Sequence, residues 1–234
     1  MNWLIEILKK RSWKVYAFMY GIFFFLFLLS FFSSKYLLEV EPEKVKEVLT
    51  QIESSPIIQE FRKLLEENKY FEIFTLIFFH NFQIAIINYF FGIGFLLSIH
   101  NFQIAIINYF FGIGFLLSIL LQASNGFLIG FLLGISPEFF PNFFELIGFL
   151  IVMILEVVAI TSTAVEGMYL TYTFFRPEKM WKTKSKTKAI KKTLSQSIKI
   201  ILLSALLLFL AALIETIVIY YQSSVNIKPI LIGV

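Results

Sequence analysis

Long apolar runs, separated by short charged or turn-forming stretches, set the organisation of the chain. They cover residues 15–32, 80–119, 126–140, 143–175 and 198–221. A helix needs about 20 apolar residues to cross the hydrocarbon of a bilayer. The runs are continuous rather than alternating, so they do not fit the strands of a closed membrane barrel. The pattern predicts an all-α, polytopic transmembrane helical bundle of about five helices plus an extra duplicated helical segment.

The intervening polar stretches assign the parts. Residues 1–14 read as a cytoplasmic amphipathic segment, with Trp3, Leu4, Ile7, Leu8 and Trp13 on its apolar side. The first transmembrane helix covers 15–38. Residues 39–69 are rich in glutamate and carry Val45, Val48, Leu49 and Ile52 at helical spacing. Ser55 as N-cap and Pro56 at the first helical position open a second short helix, whose apolar face is Ile57, Ile58, Phe61, Leu64 and Leu65. These features predict an external acidic helical hairpin. Residues 70–175 form a membrane core that includes the tandem repeat. Then come a basic cytoplasmic loop at 176–197, the last transmembrane helix at 198–221 and an external tail at 222–234.

Charge supplies direction. Lys9, Lys10, Arg11 and Lys14 precede the first run, and Arg176, Lys179, Lys182, Lys184, Lys186, Lys188, Lys191, Lys192 and Lys199 stand against the single acid Glu178. Both flanks are cytoplasmic by the positive-inside rule, which places the N-terminus inside and the C-terminus outside. The second flank also fits an anionic-lipid patch. The formal charge of +4 lies beside apolar runs, so it signals topology rather than a nucleic-acid partner. The chain has no cysteine, which excludes a disulfide framework and a thiolate metal site.

The string HNFQIAIINYFFGIGFLLSI occurs at 80–99 and again, without one change, at 100–119. Identity at every position points to a recent or deliberate duplication, since units of a selected repeat adapt to their own neighbours. The two cytoplasmic flanks require an even number of crossings between them. One copy gives four crossings and two copies give five. Either one copy does not cross, the 126–140 segment is re-entrant, or the charge rule is overridden; the expectation is that one copy does not cross independently, with 100–119 the native element and 80–99 the extra one.

Gly126, Gly130 and Gly134 share one helix face and suit close helix packing. Within the long run at 143–175, Glu145 and Glu156 point within roughly 20° of one another, near Thr163 and Gly167, and Glu166 lies about 80° aside. Intramembrane carboxyls are rare and costly, so Glu156, Glu166 and Glu215 are candidate functional residues. Asn101, Gln103, Asn108, Asn125, Thr161 and Thr163 are their candidate hydrogen-bond partners. His80 and His100 read as capping or interfacial residues. No nucleophile with a base, metal cluster or phosphate-cradling loop is legible, so neither catalysis, a metal nor a cofactor is expected.

Several of these features together resemble the stage II sporulation protein M family. They are the His-Asn pair leading into FFGIGFLLSI, Asn125-Gly126, the GFLIGFLLG run, Glu156-x-x-Ala159-Ile160 with Gly167 downstream, and Ala211-Ala212-Leu213-Ile214-Glu215. The resemblance covers about residues 70–221, and the copy beginning at His100 has the family spacing to Asn125. The chain departs from the family pattern before Glu156, where Ile151, Val152 and Met153 replace a frequent Pro-His-Gly. The resemblance implies a cell-membrane scaffold that acts through membrane or cell-envelope protein partners. The alternative is a small channel or transporter with the glutamates on its path. Close glycine faces also allow a homo-oligomer.

Overall fold

The computed structural model describes residues 13–93, 119–120, 123–135 and 143–224. The described residues contain helices and no strand. Helix α1 is Trp13–Val40, α2 is Pro42–Glu53, α3 is Pro56–Glu66 and α4 is Tyr70–Ile93. Helix α5 is Ala123–Ile135, and α6 (Phe143–Phe175), α7 (Pro177–Trp181) and α8 (Lys186–Ser224) follow. Among the described residues, four helices are long and apolar enough to cross a membrane, α1, α4, α6 and α8, and α5 is a shorter apolar helix. The chain divides into two compact units, and each long helix contributes a segment to both.

One unit contains residues 23–83, 124–157 and 207 onward. Its α1 segment buries Phe23, Ser30 and Ser34 on one face, against α5. A methyl group built on Gly126, Gly130 or Gly134 would overlap the backbone of Phe23, Phe27 or Phe31 respectively. The contacts advance in the same direction on both helices, so α1 and α5 pack in parallel. Only glycine lets the backbones come so near, and in lipid close packing is what binds helix to helix. Helix α4 runs antiparallel to α8, because Tyr70 meets Tyr220 whereas Phe78 meets Phe209.

The hairpin of α2 and α3 belongs to this unit. Ser55 precedes Pro56 in extended conformation, and its carbonyl accepts the Gln59 amide at 3.1 Å. Phe61 closes a cluster with Ile73, Ile77, Ala212 and Ile219. Burying a phenylalanine from water stabilises by about 2–3 kcal/mol, which anchors α3 to α4 and α8. Helix α3 ends in a Schellman turn, with the Lys69 amide on Leu64 O and the Asn68 amide on Leu65 O. Asn68 takes the left-handed conformation there, at φ 55°.

The other unit contains residues up to 22, 84–123 and 158–206. Met19, Ala164, Val165 and Tyr169 form its cluster, with Val15, Tyr16, Ile119, Met168 and Met180 packed against it. The start of α1 and the turn after α6 therefore meet, which brings Lys14 to the same end of the helices as the second basic flank. Glu166 pairs with Ser197, and Thr173 pairs with Thr193, so α6 and α8 are antiparallel.

Two sequence expectations change. The basic stretch expected as a loop at 176–197 is mostly helical, since α8 begins at Lys186 and runs unbroken to Ser224. Lysine favours helix, and Ala189, Thr193 and Ser197 supply a buried face ahead of the apolar run. His80 caps nothing. It lies half-buried within α4, because the apolar residues from Tyr70 onward start that helix ten residues earlier. Residues 80–93 of the first copy form the second half of α4. The second copy, apart from Ile119, lies outside the described residues, as do most of 1–14 and the tail beyond 224.

Candidate functional site

The polar side chains inside the long helices fall into two groups. In the unit containing the hairpin, Glu145, Glu156, Glu215, Gln222 and Asn81 are all buried. Asn81 of α4 donates from Nδ2 to Oε1 of Glu156 on α6, at 2.5 Å. Glu215 of α8 lies close enough to Glu156 for their charges to repel if both were ionised. Three helices thus converge on one pair of carboxyls and one amide. Such a group can hold a proton between helices or fix their register by hydrogen bonding. No cluster of three metal-ligating residues of the His, Cys, Asp and Glu types occurs among the described residues.

In the other unit, Ser197 of α8 donates to Oε2 of Glu166 on α6 at 3.0 Å, and Tyr89 of α4 lies against the same pair. The Thr163 hydroxyl instead turns to the Ile160 carbonyl, and Gly167 O accepts from Thr171. Thr161 is fully buried. The arc between Glu156 and Glu166 that separates them on a helical wheel does not leave Glu166 outside, because α6 is buried on more than one face.

Among the described residues, the repeat contributes its contacts to the buried polar groups from the first copy. Asn101 lies outside the described residues, as does Asn108. Their counterparts twenty positions earlier, Asn81 and Asn88, are buried. The residue type that answers Glu156 is therefore the one expected from sequence, an asparagine after a histidine, but in the other copy. Asn125 is half-buried in the first turn of α5 and is not part of the buried polar set. Asn81, Ala85, Asn88 and Tyr89 are all buried along one face of α4, a spacing visible in the sequence. The identical face at 101–109 hid which one is used.

Long apolar helices that bury carboxyls against amides and hydroxyls define a multi-pass helical membrane protein. Its family follows from comparison: the stage II sporulation protein M profile matches residues 94–218, more than half of the chain. The chain belongs to that family. No curated protein and no solved structure matched it significantly. The family match begins at Gly94 and so takes in the whole second copy, and residues 80–93 of the first copy lie in α4.

Proposed function

We propose that this protein is a membrane assembly protein, a scaffold that performs no chemistry of its own. The observation that carries this reading is that its intramembrane carboxyls are committed inside the helix bundle, Glu156 to Asn81 and Glu166 to Ser197. A carboxyl serving that role fixes helix register. The surfaces left for partners are the acidic hairpin and the helix faces in lipid.

The orientation follows the basic flanks, with the N-terminus in the cytoplasm and the C-terminus outside. Several contacts support it. Helix α5 is parallel to α1, and α4 and α6 are both antiparallel to α8. Ile93 of the first copy and Ile119, the last residue of the second, belong to the same unit. Among the described helices, those between the basic flanks that would cross are α1, α4, α5 and α6, an even number that the charge rule demands.

Purification of the tagged protein from its native membrane with a stable envelope partner, together with proteoliposomes that conduct neither cations nor protons, is the expected outcome. Ion flux that disappears in Glu156→Gln would instead establish the channel or transporter reading.

A further inference from the structure

We propose that the turn joining α6 to α8 is a binding shelf for the headgroups of anionic phospholipids. Between Arg176 and Lys199 there are nine cations and one acid, Glu178. All nine cationic side chains are exposed. A topology signal alone requires only the charges, and a loose loop would provide them. This turn is instead pinned. The Trp181 indole N–H donates to the Thr193 hydroxyl at 2.7 Å, and that hydroxyl also meets Thr173 at 3.0 Å. Lys192 lies over the Trp181 ring and Lys186 over Phe174. Met180 is packed into the cluster that holds the start of α1.

Lys182 adds a second observation. It closes α7 in the left-handed conformation, φ 52°, where glycine would be free of steric cost. A lysine stands at a position that disfavours it. Lys14 and Trp13, both exposed at the start of α1, extend the shelf with another cation and an aromatic ring suited to the membrane interface. Fixed ammonium groups at headgroup depth, flanked by aromatic rings, complement phosphate esters carrying net negative charge. Zwitterionic lipid carries no net charge to complement them. Each lysine beside an anionic surface strengthens binding about fivefold before salt screening.

The test is native mass spectrometry of the full chain released from nanodiscs of mixed phosphatidylglycerol and phosphatidylcholine. The four-site variant Lys182→Gly, Lys184→Gln, Lys188→Gln, Lys191→Gln is compared with the unmodified protein. Retention of the anionic lipid should fall at least tenfold in the variant while its melting temperature in phosphatidylcholine is unchanged. Equal retention by the two proteins overturns the proposal. A variant that fails to fold leaves a second measurement on the unmodified protein, acetylation footprinting in vesicles. Lys182, Lys184, Lys188 and Lys191 should be protected by phosphatidylglycerol relative to phosphatidylcholine, with Lys44 and Lys46 of the hairpin unaffected. Equal labelling in both lipids, or the same protection by inorganic phosphate, overturns it.

Discussion

Asn68 and Asn81 are the same residue type used for different physical ends. Asn68 tolerates positive φ at the end of α3, and its side-chain oxygen also accepts from the Tyr70 hydroxyl. Asn68→Val should destabilise the hairpin by about 1–2 kcal/mol, whereas Asn68→Gly should be tolerated, as read by thermal unfolding in detergent. Beside it, Lys69 binds the Glu67 carboxylate at 2.5 Å, and that hydrogen bond with its charge holds Glu67 below its ordinary carboxylate range. A lowered folded-state value means that the pair stabilises above the unfolded value and stops doing so as pH falls through the folded one. Amide protection factors at this junction, corrected for the intrinsic pH dependence of exchange, should therefore fall on acidification, and Lys69→Gln should remove that dependence. Both side chains are exposed, so salt should weaken the effect.

At the scale of elements, the choice between repeat copies rests on α4. Asn81→Leu removes the donor that faces buried Glu156 and should cost about 1–2 kcal/mol of stability. Asn101→Leu, the same change in the same local sequence, should cost far less. Equal losses would show that the copies share the seat. The α1–α5 contact makes a parallel comparison. Gly130→Ala places a methyl into the Phe27 backbone and should destabilise by about 1–3 kcal/mol, whereas Gly21→Ala faces open space and should not. The glycine spacing of four was legible in the sequence as a packing face. Its partner was not, because nothing in an apolar stripe says which helix lies opposite.

For the whole molecule, deleting either copy yields the same chain, because the repeat is perfect. That single-copy protein should keep its fold and its melting temperature, with Asn81 then at the family spacing from Asn125. Cysteines introduced at Lys184 and Lys46 should label from opposite sides of the membrane in both forms. The class of fold, the spans, the hairpin and the two basic flanks were all determined by the sequence, because apolar length, helical period and charge are local properties. The same applies to the presence of costly carboxyls at 156, 166 and 215. Tertiary structure alone decided that Asn81 answers Glu156. Identical copies carry identical local information, and only the apolar residues that join the first copy to Tyr70, packed against α8 by Tyr70, Phe74 and Phe78, distinguish one from the other.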